Sequence, residues 1–261
     1  MKDSTNNSGK IIDLQEKRRN REKKKKHTKI KALIILIFLT ILVILMSPYF
    51  NVKWFDIKGN VKTLPSQIKS ASDIVLNQNM FRVNIKKSKK LIKELPYIQD
   101  AKIYRHPKGG IIISVTEREA FGYIKSVTGD MIIDREGRVL EVAGKDYEYG
   151  NLTEIAGLKC GNLKPGTFIG ENLKENLALA VEIYKNLEEH KIEERVKSIN
   201  VKNINNVVLN IDGSKDVLLG NVYRIEYKLA MLESAIASIS PSEKGTIDLR
   251  TEGEALFTPS E

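Results

Sequence analysis

Ser66-Gln67-Ile68-Lys69 is the one place in the chain where a nucleophile and a base stand at a catalytic spacing. In the Ser-x-x-Lys motif of penicillin-binding enzymes the lysine sits one helical turn beyond the serine and accepts its proton. That chemistry needs partners the sequence lacks: no Ser-Asp-Asn is present, and Lys244-Gly245-Thr246 has the wrong order for Lys-Thr-Gly. Pro65 puts Ser66 at the start of a short helix, where a serine serves as a cap and a lysine three positions on is solvated. The three histidines are scattered. His27 falls in a basic tail, His106 precedes Pro107 in a turn, and His190 ends a helix, where a cation suits the dipole. No His-x-x-x-His, cysteine pair, Gly-x-Ser-x-Gly or glycine-rich phosphate loop occurs. Cys160 alone can form neither an intramolecular disulfide nor a structural zinc site, and reads as a small buried hydrophobe. The expectation is no enzyme, no metal and no cofactor.

The surrounding elements are dominated by one uncharged apolar stretch, Ala32 to Phe50, interrupted by Thr40 and Ser47. At about 1.5 Å per helical residue it spans about 28 Å, the thickness of a bilayer's hydrocarbon core. A single membrane-spanning helix over residues 32–50 is expected, with Tyr49 and Trp54 as interfacial rings. Residues 1–31 hold twelve Lys and Arg against four Asp and Glu, densest at Lys23, Lys24, Lys25, Lys26, Lys29 and Lys31. A positive flank stays on the cytoplasmic side, which predicts a disordered cytoplasmic tail and an extracytoplasmic C-terminal bulk. Met46-Ser47-Pro48-Tyr49 offers no small-residue cleavage site, so the segment reads as an uncleaved anchor. The same six lysines are candidates for contact with anionic lipid, at about 1 kcal/mol each.

Most of the formal net charge of +10 lies in that tail. The remaining residues are nearly neutral and have no basic stripe to match a phosphate backbone, so nucleic acid is not an expected partner. Roughly 210 residues follow the helix, enough for two small domains with real cores.

After the helix, Val52–Ile57 reads as a strand ending in the turn signal Gly59-Asn60. Leu64, Ile68, Ala71 and Val75 recur at helical spacing, and a second short helix is expected from Ser88 as N-cap, with Leu91, Ile92 and Leu95 on one face before Pro96. Ile98–Arg105 and Gly110–Val115 come next as strands. The economical packing lays both helices on one face of a three-stranded sheet. Beyond residue 120, Phe121–Ile124, Met131–Asp134, Val139–Val142, Val196–Val201, Val207–Ile211 and Val217–Leu219 read as strands. Two amphipathic helices carry Leu173, Leu177, Ala180, Val181, Tyr184 and Leu187, and Ile225, Leu229, Leu232, Ile236 and Ile239. Residues 246–251 read as a strand and residues 252–261 as a terminal edge strand and tail. The fold class is α+β, with a mostly antiparallel sheet in the second domain.

The order strand-helix-helix-strand-strand behind a membrane helix, opening with Phe55-x-Ile57-x-Gly59-Asn60, resembles a POTRA domain. Val115-x-Glu117-Arg118 resembles its end in the bacterial division proteins FtsQ and DivIB. Ile132-Ile133-Asp134-x-x-Gly137-x-Val139-Leu140 resembles that family's next hairpin, Leu218-Leu219-Gly220 with Lys228 and Leu232 its late strand-to-helix passage, and Thr246–Arg250 its last strand. The chain departs at Ala120 and Gly122, where the family often has proline and alanine. The resemblance predicts a POTRA domain over residues 51–119 and an α+β domain over 120–251. It also implies a scaffold at the division septum that holds small bitopic proteins of the FtsL and FtsB/DivIC type through the distal end of the second domain. A sheet edge there would accept a strand from the partner, and Glu254, Ala255, Leu256, Phe257 and Thr258 are the expected contact residues, with Phe257 either the anchor or a clasp on its own core. A membrane-anchored wall-remodelling enzyme or its regulatory subunit is the alternative.

Overall fold

A computed structural model of the chain describes residues 26–240 and 242–260. They fall into two compact units, one taking in the described residues up to Asp56 with Ile74–Ile85 and Ile103–Ile113, the other Ile57–Asp73, Lys86–Lys102 and the residues from Ser114 onward. The first unit begins with α1 (Lys26–Leu45), long and apolar enough to cross a membrane. The helix begins six residues before the apolar run and stops five before that run ends. Ser47 takes an extended backbone and caps a 3-10 turn at Pro48–Phe50 instead of continuing the helix.

In chain order β1 (Trp54–Lys58), α2 (Pro65–Ala71), α3 (Ile85–Glu94), β2 (Ile98–His106) and β3 (Gly110–Glu117) follow, α2 in the second unit and the other four divided between the two, with sheet order β1-β3-β2. Ile111, Ile113 and Val115 alternate inward along β3, and Ile98, Ala101 and Ile103 are buried on β2. α2 is shorter than its apolar spacing suggests. Ser72 closes it and Asp73 takes a left-handed φ of 56°, so Leu64 and Val75 are exposed and Ile68 alone of the four is buried. Ser88 is not a cap. α3 opens at Ile85, placing Ser88 inside the helix on its buried face; Ile92 is buried with it, while Leu91 is half-buried.

In the second unit the residues that closed the POTRA-like pattern acquire physical roles. The Glu117 carboxylate accepts the N–H groups of Val61, Lys62 and Thr63 at 2.7 to 2.9 Å, tying down the loop before α2. Arg118 donates to Asp134 at 2.6 Å and Glu136 at 2.8 Å, and Asp134 in turn accepts the N–H of Glu136 and Arg138, which shapes the hairpin turn. Arg138 sends Nη2 to the carbonyls of Lys93, Glu94 and Leu95, where the end of α3 leaves acceptors without helical partners.

The large sheet has nine strands: β4 (Gly122–Ile124), β5 (Met131–Ile133), β6 (Val139–Val142), β7 (Thr153–Ala156), β8 (Val196–Asn200), β9 (Val207–Ile211), β10 (Lys215–Gly220), β11 (Gly245–Asp248) and β12 (Leu256–Pro259), in the order β12-β11-β10-β9-β8-β7-β4-β5-β6. Antiparallel pairs predominate; β4/β7, β7/β8 and β10/β11 are parallel. Parallel neighbours require a crossover, and α4 (Lys174–Glu189) connects β7 to β8 as α5 (Ile225–Ser238) connects β10 to β11. Leu177, Ala180, Ile183 and Leu187 of α4 share one core with Leu229, Leu232 and Ile236 of α5 and with alternate residues such as Leu209, Val217 and Ile247. β7 has no counterpart among the strands expected from sequence. Gly122 is needed opposite it: a Cβ there would lie 2.5 Å from the Thr153 carbonyl oxygen, which accounts for the departure from alanine.

Ile92→Ala is expected to cost about 2 to 5 kcal/mol, and Leu91→Ala less than half as much, because only Ile92 is fully enclosed. Urea unfolding of the two variants checks the ranking, and equal losses would contradict the burial pattern.

Candidate functional site

A sheet exposes unpaired backbone groups on its two outer strands, and this nine-stranded sheet treats its two edges differently. Beside β6 the chain closes the edge with its own loop. Gly166 N–H donates to Val139 O at 2.7 Å, Val139 N–H to Thr167 O at 2.8 Å, and Ile169 N–H to Gly137 O at 2.9 Å, with a bridge between Arg138 and Phe168. The Arg138 guanidinium lies 5.6 Å over the Phe168 ring and seals this closure.

At the other end β12 pairs antiparallel with β11, Thr246 opposite Thr258 and Asp248 opposite Leu256, and among the described residues no strand pairs with its outer side. Ser260 N–H donates inward to Lys244 O at 3.0 Å. By the alternation of an antiparallel ladder, Leu256 and Thr258 also point their backbone groups at β11, and Ala255 and Phe257 point theirs outward. Pro259 falls on the outward set but has no N–H to give.

The expected contact residues therefore sit together on one edge, in two environments. Leu256 is 63% exposed, and Glu254, Ala255 and Thr258 are exposed as well. Phe257 is half-buried and packs against the domain's own core. Its ring occupies the space over Gly245, where a Cβ would meet Phe257 Cε2 at 2.7 Å and the Thr258 carbonyl oxygen at 2.4 Å. Its remaining surface opens, with that of Ala255, into a groove of about 570 Å³ whose opposite wall is α5, through Tyr227, Met231, Ser234 and Ser238. In sequence Ser234 and Ser238 look like an ordinary solvent face. Their spacing with Ala230, four residues apart, is the available signal, since small side chains in register leave room beside a helix.

A neighbouring hollow, between the start of α5 and residues 249–253, is lined by charged side chains. Lys228 Nζ donates to Leu219 O at 2.6 Å and Asn221 O at 2.8 Å, and burial lowers its pKa. Arg250 pairs with Asp248 and holds that carboxyl below its ordinary value of 3.8, and Arg224 pairs with Glu252 while its guanidinium lies 4.8 Å over the Tyr227 ring. Of the lysines expected at the membrane surface, Lys26, Lys29 and Lys31 lie exposed on the first turns of α1, and Lys23, Lys24 and Lys25 lie outside the described residues. Among the described residues no group of three or more His, Cys, Asp or Glu could hold a metal ion. Ser66 stands exposed on α2, whose opening is closed by Gln67 accepting the Leu64 N–H at 3.0 Å.

Residues 50–118 match the FtsQ-type POTRA domain, and residues 122–250 match the C-terminal domain of cell division protein FtsQ/DivIB. The chain belongs to the FtsQ/DivIB family. It is similar to cell division protein DivIB of Clostridium botulinum strain Hall, 29% identical over 236 residues that cover 87% of this chain and 90% of the relative. DivIB of Clostridium tetani is 28% identical over 85% of this chain and 84% of that protein, and FtsQ of Corynebacterium glutamicum is 29% identical over 49% and 61%. The FtsQ/DivIB match ends at residue 250, so the bare strand β12 lies just beyond it.

The close packing at Gly245 supplies a way to move β12 alone. Gly245→Val is expected to cost about 1 to 3 kcal/mol by overpacking. It should accelerate amide exchange at residues 256–260 while β9 and β10 keep their protection. Unchanged exchange at Thr258 would mean that β12 is held by something other than this contact.

Proposed function

We propose that this FtsQ/DivIB-family chain is a non-enzymatic, membrane-anchored scaffold of the bacterial division complex, capturing small bitopic proteins of the FtsL and FtsB/DivIC type by strand addition to β12. The observation that carries the reading is the contrast between edges. The chain lays its own loop on the start of β6, at Val139, and among the described residues leaves the outer side of β12 without a strand, beside a groove lined in part by small side chains. An extended segment laid on β12 would find the N–H and C=O of Phe257 for its ladder and the groove for its side chains. Family membership supports the role in division, and α1 supports a single-pass anchor. The basic residues ahead of α1 support a cytoplasmic N-terminus, with the two matched domains outside and the complex at the septum. The lysines at that end are suited to anionic lipid.

Full-length protein in detergent, titrated with the extracytoplasmic part of an FtsB/DivIC-type partner, tests the capture. Truncation after Thr251 should abolish binding while the core covered by α4 and α5 stays folded. Ala255→Pro deletes an outward donor and leaves the ladder to β11 alone, so affinity should fall roughly tenfold, about 1.4 kcal/mol, at nearly unchanged thermal stability. Phe257→Ala should lower both, because the ring is shared between groove and core. Full affinity in a folded truncation would sink the reading, and turnover of peptidoglycan by the purified chain would sink its non-enzymatic half.

Orientation is tested separately with Val127→Cys in a Cys160→Ser background, since Val127 is fully exposed. A membrane-impermeant thiol reagent should label it on intact cells. Labelling only after lysis would reverse the topology.

A further inference from the structure

The apolar stretch that begins at Ala32 does not stay helical to its end. α1 closes at Leu45, and the Ser47 hydroxyl accepts the Tyr49 N–H at 3.3 Å as the chain turns through Pro48–Phe50. The apolar helical part, residues 32–45, spans roughly 21 Å at about 1.5 Å per residue, well short of a hydrocarbon core of about 30 Å. A span that is too short draws its flanking residues toward the bilayer. At one end Lys29 and Lys31 can snorkel. At the other end the flanking residues are aromatic.

The segment after Leu45 is fixed to the helix end. The Leu45 carbonyl accepts the Asn79 side-chain amide at 2.9 Å, and the oxygen of the same side chain accepts the Phe81 N–H at 3.0 Å, capping a 3-10 turn at Met80–Arg82. The backbone joins in: Asn51 bridges Asn79, Val52 N–H donates to Gln78 O at 2.8 Å, and Asn77 N–H donates to Val52 O at 2.8 Å. From behind, Arg105 donates to Met80 O at 2.8 Å and Val83 O at 2.9 Å, and the Met80 side chain is buried. A turn held from three sides nevertheless presents Phe81 outward, 47% exposed. Its ring lies 5.3 Å from that of Phe50, which lies 5.2 Å from that of Tyr49, itself 64% exposed. The Lys53 ammonium stands 5.5 Å over the Tyr49 ring, and Arg82 is exposed beside Phe81.

We propose that the Met80–Arg82 turn is a second membrane contact, in which Phe81 with Tyr49 and Phe50 enters the headgroup-acyl boundary of the bilayer that α1 crosses, and Arg82 and Lys53 meet lipid phosphates. The occupant is lipid because the helix end says where lipid is. Residue 79 holds a carbonyl of the span's last turn, so residues 79–82 lie within a side chain's reach of the hydrocarbon edge. Three aromatic rings packed edge to face at that depth, flanked by two cations, match the composition of an interfacial belt. The contact also makes up the missing length of the span.

Full-length chain carrying Cys160→Ser and Arg82→Cys, labelled with an environment-sensitive fluorophore and reconstituted in phosphatidylcholine-phosphatidylglycerol vesicles, reads the contact directly. Lipids with a shallow spin label on the acyl chain should quench the label several-fold more than one at Val127→Cys. Phe81→Ser should bring that quenching down to the Val127 level, and Tyr49→Ser, at a more exposed ring, is a second variant that leaves the buried Met80 in place. Asn79→Ala should weaken quenching by freeing the turn from the helix end. Quenching at residue 82 equal to that at residue 127, or indifferent to Phe81→Ser and Tyr49→Ser alike, would overturn the proposal. So would a shielded label that spin-labelled lipid does not quench and that becomes exposed as protein is diluted in lipid, since the face would then belong to a second copy.

Discussion

Every strand added to a sheet satisfies one row of backbone groups and creates another, so the last row is always left to something other than a strand of the same sheet, whether a loop, water or another chain. This constraint organises the second unit. β6 is stopped by the loop through Gly166–Ile169, and the guanidinium that seals the loop, Arg138, also serves the carbonyls at the end of α3. At the opposite end β12 has no such cover among the described residues. The strands between must reach that end in the right orientation. The β10-α5-β11 crossover sets β11 parallel to β10, and the connection through residues 249–255 brings β12 back antiparallel.

The same crossover positions the groove. α5 must bury Leu229, Leu232 and Ile236 against the sheet, and the helical period then places Ala230, Ser234 and Ser238 on the side that faces β12. Core and groove are two faces of one amphipathic helix. A change that rotates α5 would alter both, whereas one that lifts β12 alters the groove and leaves the core in place.

The parts of this architecture that rest on side-chain burial are legible in the sequence. α4 and α5 lie where their apolar spacing puts them, and Ile98–His106 and Gly110–Glu117 form strands on alternation alone. The parts that rest on backbone groups are not. The closure of β6 uses N–H and C=O groups that any residue carries. β7 buries the alternate residues Thr153 and Ile155 in a four-residue strand paired in parallel with β4 and β8, but a threonine and one isoleucine make too short an apolar alternation to mark it in the sequence. Ser88 misleads because serine at a helix start and serine tucked into a helix's inner face look alike in sequence. Val75 misleads because a left-handed Asp73 ends α2 before the apolar spacing does. A terminal strand within residues 252–261 is legible, and β12 takes up Leu256–Pro259 of it, while the groove wall is hidden in side chains that look merely solvated.

Pro259 gives the bare edge a limit. Where the outward row next calls for a donor after Phe257, the pyrrolidine ring supplies none, so a ladder growing along β12 toward the C-terminal side stops there. Two β12 strands from separate molecules, laid edge to edge, would each meet the other's missing donor within a few residues, and the short shared ladder would have little to hold it. Pro259 thereby works against pairing between two copies of this edge.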